Sequence, residues 1–385
     1  MSMRGQSQIV GIYEYPDRKI VGKTLAQLHA ECAKAALDDA GLTLKDIDGY
    51  ITDSVAPGVG PMSMIDYMGL DVRFTETTDT GGSSYVLHVA HATQAIMAGK
   101  ADIVLITFAG MPRSGMGMSQ TTLGSTPESS FELPYRPLTP AQYALAARRH
   151  MYEFGTTSEQ LAWIKVAASH HAQYNPNAML KDVVTVEDVV NSRMVADPLH
   201  LLDCCVVSDG AGAVIVARPE IARSLKRPGV RVRGAGEASK YVKGGRADLT
   251  TTAAAKSGPV AFAEAGVTHA DIKYASIYDS FTITVLLQLE DLGFCKKGEG
   301  GRFVADGNLI SGVGKLPFNT DGGGLCNNHP NNRGGMTKIF EAVRQVRGEA
   351  HPAVQVPNCD IALVQGMGML LATRHSSGTM ILERV

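Results

Sequence analysis

GGSSYVLHVAHATQAIMAG, Gly81 to Gly99, is the stretch on which the fold turns. It contains no Asp, Glu, Lys or Arg and is rich in Ala, Val, Leu, Ile and Met. That composition predicts a helix without a solvated face, because a surface helix needs a polar stripe. Nineteen residues could span a bilayer, but Ser83, Ser84, His88, His91 and the terminal glycines argue against lipid and for burial in protein. Gly81 and Gly82 allow a tight turn into the helix, with Ser83 or Ser84 as its cap. The helix start at Gly82 and Ser83 then offers N–H groups and a positive dipole end to an acyl or oxyanion group. Beyond Gly99, IVLITFAG from Ile103 reads as a fully buried strand.

The chain of 385 residues is long enough for two domains of ordinary size, and its 44% apolar and 19% charged content is that of a globular protein. A net charge of −2 offers no electrostatic reason to expect nucleic acid or an anionic membrane as partner. The N-terminal MSMRGQSQIVGIYEYP lacks a signal-peptide core and no apolar run reaches spanning length, so a soluble cytoplasmic protein is expected. Cys32, Cys204, Cys205, Cys295, Cys326 and Cys359 form no CxxC pairs, which argues against a metal site or a disulfide framework. They read as buried small hydrophobes.

In chain order, Ser7 to Glu14 reads as a strand and Thr24 to Gly41 as an amphipathic helix ended by glycine. A capping-box pattern at Thr43 to Asp46 precedes the strand-like Asp48 to Ser54. This grammar recurs: AGLTLKDI, Ala40 to Ile47, matches AGVTHADI, Ala265 to Ile272, at an offset of 225, with strand-like YASIYDSF after the second copy. Ser208 to Ala217 also resembles Gln365 to Ala372, each read as a Gly-x-Gly start of an apolar strand. The long offset indicates two copies of one α/β unit, 1–222 and 223–385, and excludes a solenoid with a period of ~20 to 50 residues. Within the first half, 111–150 is an insertion region. Its Gly-, Ser-, Thr-, Pro- and Met-rich part, Met111 to Pro140, reads as a lid or partner-binding surface. Pro140 to Phe154, Ser158 to Tyr174, Ser280 to Leu292 and Gly334 to Val346 read as helices.

Three loop ends look chemical: Gly81-Gly82-Ser83, Tyr278-Asp279-Ser280-Phe281, and Asn328-His329-Pro330 within NTDGGGLCNNHPNNRGG, Asn319 to Gly335. Each alone has a plain reading. A His-Pro in a loop is often a turn, and a tyrosine after a strand is often half-buried with its hydroxyl satisfied. His88 and His91 read as packed, uncharged histidines with both nitrogens partnered.

Taken together, PLHLLDCCVVSDGAGAVIVA (Pro198 to Ala217), IYDSFTITVLLQLEDLGFCKKGEG (Ile277 to Gly300), the Asn-His-Pro loop and GKADIVLI (Gly99 to Ile106) resemble the thiolase superfamily over essentially the whole chain. The similarity is to the branch of sterol-carrier-protein thiolases and lipid-transfer-protein aldolases. It implies duplicated βαβαβαββ halves in a five-layer α/β/α/β/α arrangement, a buried central helix, a homodimer and a coenzyme A thioester substrate with no covalently bound cofactor. Where a thiolase has its nucleophilic Cys, at the head of the buried helix, this chain has Gly82. The His and Cys of the family's His-Asp-Cys-Phe motif are Tyr278 and Ser280, its Gly-His-Pro histidine is His329, and no Cys stands in the last glycine-rich turn, Gln365 to Met369.

Claisen exchange needs a thiolate to carry the acyl group, besides an acid/base. An imidazole, a phenol and an oxyanion-type pocket suffice for retro-aldol cleavage of a 3-hydroxyacyl-CoA with a steroid or aryl side chain. Tyr278 and His329 are then the catalytic pair: His329 is the base or enolate stabiliser, and Tyr278 is the donor that orients the substrate oxygen, with the exchanged roles left open. Asp279, Cys326 and Asn328 are further candidates. The resembled aldolases imply a small partner with an OB fold and a zinc ribbon. Two alternatives stay open: a partner-dependent acyltransferase with Cys326 as displaced nucleophile, and a non-catalytic acyl-CoA-binding scaffold.

Overall fold

The computed structural model describes residues 2–115, 127, 129–135, 138–241 and 246–385. The repeated octapeptide is one structural device used twice. Helix α1, Leu25–Ala40, is capped by Thr24, whose side chain accepts from Gln27 N, and closes at left-handed Gly41. Its counterpart, the later helix Ala254–Ala265, closes at left-handed Gly266. In both copies a single 3₁₀ turn follows. Asp46 Oδ2 accepts the Thr43 N–H at 2.7 Å in the first, and Asp271 Oδ2 the Thr268 N–H at 2.8 Å in the second.

Nine strands build one mixed sheet: β1 Gln8–Glu14, β2 Gly49–Ile51, β3 Phe74–Glu76, β4 Ile103–Gly110, β5 Gly210–Ala217, β6 Val230–Lys240, β7 Tyr274–Ile277, β8 Ile361–Gly368 and β9 His375–Arg384. Their order is β3-β2-β4-β5-β1-β6-β9-β8-β7, so the second half repeats the first in mirror order. A strand corresponding to β3 is reduced to a bridge between Phe318 and Ala275. The halves meet where β1 pairs antiparallel with β6, Gln8 opposite Arg231 and Ile9 opposite Val230.

Alternation along the strands sorts their side chains into layers. Leu105 and Ile215 face α1, whereas Val104, Ile106 and Val214 face inward to α2, Ser84–Met97. The inward cluster also takes in Val232, Val364 and Leu382 of the second half, together with Ile339 and Phe340 of the long helix Gly334–Arg347. Leu363 and Ile381 face outward to Ala261 and Phe262 of the helix Ala254–Ala265. Two central helices between two half-sheets, with helices outside both, give the five α/β/α/β/α layers. Among the described residues no helix is long and apolar enough to cross a membrane.

Four expectations need correction. The helix begins at Ser84 after a 3₁₀ turn over Gly81–Ser83, and neither serine caps it. Ser84 Oγ donates to Gly81 O at 2.8 Å, and Ser83 Oγ shares a 2.6 Å hydrogen bond with Ser376 Oγ. The burial is also incomplete, since Gln94 is exposed. His91 is not an uncharged packed residue. Its nitrogens meet Glu76 at 2.6 Å and Glu237 at 2.9 Å, and hydrogen bonding to Glu76, aided by Glu237 against desolvation, raises its pKa to about 9. His88 is neutral: burial lowers it to about 4, Nε2 meets Thr78 O at 2.8 Å, and Nδ1 lacks a partner among the described residues. Lastly, Gln365 to Gly368 ends β8 instead of starting a strand, and the true counterpart of β5 is β9. Of the reading of Met111 to Pro140, residues 116–126, 128, 136 and 137 lie outside the described residues; Pro140 itself belongs to the helix Thr139–Phe154.

Because the folded-state pKa of His91 is raised, its contribution to stability is complete below the unfolded value of about 6.5 and is lost as pH rises through about 9. Thermal unfolding followed by scanning fluorimetry should show a midpoint that falls over this window. The His91→Gln variant should lack most of that slope.

Candidate active site

The site forms where the start of α2 meets the loop after β7. Tyr278 is fixed by its backbone: its N–H donates to Gln365 O at 2.9 Å, and its carbonyl accepts from Gln288 Nε2 at 2.8 Å. Asn319 locks the preceding residue, accepting from Ile277 N and donating to Ile277 O, each at 2.8 Å. The phenol is thereby pressed against Gly82. A Cβ on Gly82 would collide with Met367 O and with ring atoms Cε2 and Cζ of Tyr278. The tyrosine ring therefore occupies the space that any side chain at position 82 would need.

His329 comes from the loop before the helix Gly334–Arg347. Its ring lies edge-on to Tyr278 with centroids 5.4 Å apart, and Gly334 sits against both rings. The His329 N–H donates to Ser208 Oγ at 2.8 Å, and Nε2 is buried without a hydrogen-bond partner among the described residues. Burial, reinforced by the charge of Lys338, lowers the imidazole to about 4, so it is neutral at physiological pH. Burial, with Tyr143, Cys205 and Asp279 nearby, pushes the Tyr278 phenol well above its ordinary value. A phenol that holds its proton so firmly is a hydrogen-bond donor and not a base, whereas neutral His329 can accept a proton.

The other candidates are placed differently. The Ser83 side chain is spent on Thr80 O and Ser376, so only its backbone is left for an oxyanion role. Asp279 turns away from the phenol: its carboxylate accepts from Gly324 N at 2.8 Å, Leu325 N at 3.1 Å and Lys338 Nζ at 2.6 Å. Asn328 is clamped, its Oδ1 accepting from Ser208 Oγ at 2.9 Å and its Nδ2 donating to Glu14 Oε1 at 3.0 Å. Cys326 is 0% exposed within the apolar core, and burial raises its thiol. A nucleophilic cysteine needs the opposite environment, one that favours thiolate.

Sequence reasoning overlooked Ser208, Lys338 and Tyr143. Ser208 orients both Asn328 and His329, and its signal lay in the SDGAG run already singled out. Lys338, 2% exposed, ties Asp279 to the helix Gly334–Arg347. Tyr143, from the helix Thr139–Phe154, stacks on Phe281 with centroids 4.4 Å apart and donates to Met369 O at 2.7 Å. Only a three-dimensional contact reveals it.

Residues 235–384 match the family described as thiolase C-terminal domain-like. The chain is 38% identical to the 17-hydroxy-3-oxo-4-pregnene-20-carboxyl-CoA lyase of Mycobacterium tuberculosis, over 90% of this chain and 92% of that protein. It is 37% identical to a steroid side-chain-cleaving aldolase of Thermomonospora curvata, over 89% of this chain and 91% of the relative. A solved structure described as an Ltp2-ChsH2(DUF35) aldolase superposes with a TM-score of 0.90 at 35% identity, covering 100% of this chain and 99% of that one.

The contact between positions 82 and 278 is testable. Gly82→Ala should displace the phenol and lower kcat by ~10²-fold, the usual effect of misplacing a reacting group by about 1 Å. The far-ultraviolet circular dichroism should remain that of the parent. Adding Tyr278→Phe to Gly82→Ala should then cost far less than it does alone, since the two changes strike one interaction.

Proposed function

The chain belongs to the thiolase superfamily, in the branch that holds the steroid side-chain-cleaving aldolases, and from that premise we propose that it breaks a carbon–carbon bond in a 3-hydroxyacyl-CoA by retro-aldol cleavage. One observation carries this reading: Gly82 has no side chain, and the Tyr278 ring fills the place a nucleophile would take. Acyl transfer through an enzyme thioester has no group to run on there, and Cys326 is a buried thiol. The relatives' steroid substrates support a steroid side-chain thioester as the class, with an aryl side chain as the second choice.

In the mechanism that the geometry supports, the unpartnered Nε2 of His329 takes the proton of the substrate's 3-hydroxyl. The C2–C3 electron pair passes to the α-carbon, C3–O becomes a carbonyl, and the thioester enolate forms. Backbone N–H groups at Gly82 and Ser83, with the positive ends of two converging helices, stabilise that oxyanion. Tyr278 donates to the C3 oxygen and fixes its position. The enolate then takes a proton at C2, and a shortened acyl-CoA and a carbonyl compound leave.

We also place the protein in the cytoplasm as a homodimer, each chain built of units 1–222 and 223–385, and give it a small OB-fold and zinc-ribbon partner. The likeness to a structure described with two components, Ltp2 and ChsH2(DUF35), supports the partner. So does the surface it would cover: Phe131, Tyr135 and Leu138 in the insertion region are 78%, 86% and 72% exposed.

Incubation of the chain and such a partner with steroid 3-hydroxyacyl-CoA thioesters should release ketone and a shortened acyl-CoA, with little turnover by the chain alone. Peptide mass analysis should find no covalent acyl-enzyme; an acyl group on Cys326 would reverse the assignment in favour of acyl transfer. In the same assay Tyr278→Phe should lower kcat by ~10²- to 10⁴-fold with little change in KM, as expected for one positioned donor.

A further inference from the structure

Among the described residues, two polar atoms of the site lack a well-formed hydrogen bond and a third makes only a long one. Nε2 of His329 and Oγ of Ser280 are buried without hydrogen-bond partners among the described residues. Among the described residues the Tyr278 hydroxyl reaches Asn331 O alone, at 3.4 Å, longer than an ordinary O–H···O bond. Buried polar groups are nearly always paired, so an orphan in a native protein calls for an explanation.

Ser280 is 6% exposed and stands two residues beyond Tyr278 on the same loop. Asp279, between them, turns the other way into Gly324, Leu325 and Lys338. Tyr143 lies beside both Ser280 and Tyr278. Its one proton is committed to Met369 O at 2.7 Å, so toward the neighbouring Ser280 hydroxyl the Tyr143 oxygen can only accept. The Ser280 backbone is held separately, its carbonyl accepting from Cys205 N at 3.0 Å. The loop is thus fixed, while the hydroxyl, with the Tyr143 oxygen beside it but no well-formed hydrogen bond among the described residues, is free to turn to a better acceptor.

An alcohol oxygen offers one proton and accepts two hydrogen bonds. The unused atoms match that inventory, with one acceptor at His329 and two donors at Tyr278 and Ser280. We propose that Ser280 binds substrate, its hydroxyl donating to the oxygen on C3 as the second donor beside Tyr278 and holding it as it passes from hydroxyl to carbonyl. This rests on the retro-aldol reading. The serine proton is not transferred. The substrate's proton goes to His329, the C2–C3 pair goes to the enolate, and both hydrogen bonds persist on the product carbonyl.

The test compares Ser280→Ala with the parent, in the presence of the partner, by three measurements: kcat/KM for a 3-hydroxyacyl-CoA, the Kd of the same thioester without the 3-hydroxyl, and the Tm. The expected result is a kcat/KM lower by ~10- to 100-fold, as for one hydrogen bond to a group gaining negative charge. The Kd of the deoxy compound should change less than about twofold, and the Tm should hold or rise because an unpaired buried hydroxyl has been removed. An unchanged kcat/KM, an equal loss of affinity for the deoxy compound, or a fall in Tm would overturn the proposal. If the parent cleaves no 3-hydroxyacyl-CoA, the cleavage reading fails, and the Kd values of the hydroxy and deoxy thioesters still read the contact. A loss confined to the hydroxy compound upholds it, and an equal loss or none overturns it.

Discussion

Position 82 has no room for a β-carbon, and much of the molecule depends on that. A Cβ there would strike the Tyr278 ring, and one on Gly335 would strike the carbonyl of Gly82 itself. On the other side, a Cβ on Gly366 would come within 2.9 Å of Ser83 Cα, and one on Gly368 would overlap Thr80 O. The starts of the two central helices and the end of β8 therefore close around one point from which side chains have been removed. The dipole ends and the phenol can meet because the glycines let backbone lie on backbone.

The elements legible from sequence were those with a local cause. The capped helix Leu25–Ala40, its copy 225 residues on, the buried strand Ile103–Gly110 and the helix Gly334–Arg347 follow from caps, glycine stops and apolar periodicity. Tyr278 and His329 could be named because their loops match a family, and the structure sets their rings side by side. What escaped was set by tertiary partners. Nothing near His91 announces that Glu76 and Glu237, from opposite halves, will charge it. Ser83 and Ser84 look like caps but are drawn into ties with Gly81, Thr80 and Ser376. A repeat was also missed: TTDTGG, Thr77 to Gly82, corresponds to NTDGGG, Asn319 to Gly324, each leading toward a central helix and each with a left-handed glycine, Gly81 and Gly323.

That second repeat shows how the candidate site is divided between the copies. The loop of the first half ends in glycines and contributes backbone. The loop of the second half runs on to Asn327, Asn328 and His329 and contributes side chains. Asn327 accepts from Arg18 Nε and Nη2 at 3.1 and 2.8 Å and donates to Asp321 at 2.8 Å. Arg18 and Arg344 also flank Glu14, and although burial alone would raise that carboxyl, they hold it below its ordinary range. The imidazole is thus positioned by a buried network that reaches across the molecule.

The seam between β1 and β6 runs through two residue pairs, whereas β4 and β5 stay in register from Ile103 to Gly110. The ladder at the seam by itself does little to set the angle between the halves, and apolar packing, being non-directional, tolerates small rotations. The angle is set by directional contacts beyond it: backbone bonds from Cys205 N to Ser280 O, Val206 N to Gly324 O and Leu180 N to Cys326 O, and side-chain contacts of Arg18 with Asn327, Glu14 with Asn328 and Arg344, and His91 with its two glutamates. Gly82 and Tyr278 come from opposite sides of that seam. A small slip there would leave each half-sheet and its outer core intact while shearing the inner core the halves share and parting the phenol from the helix ends. The geometry of the candidate site is for this reason more sensitive to the seam than either half-sheet is.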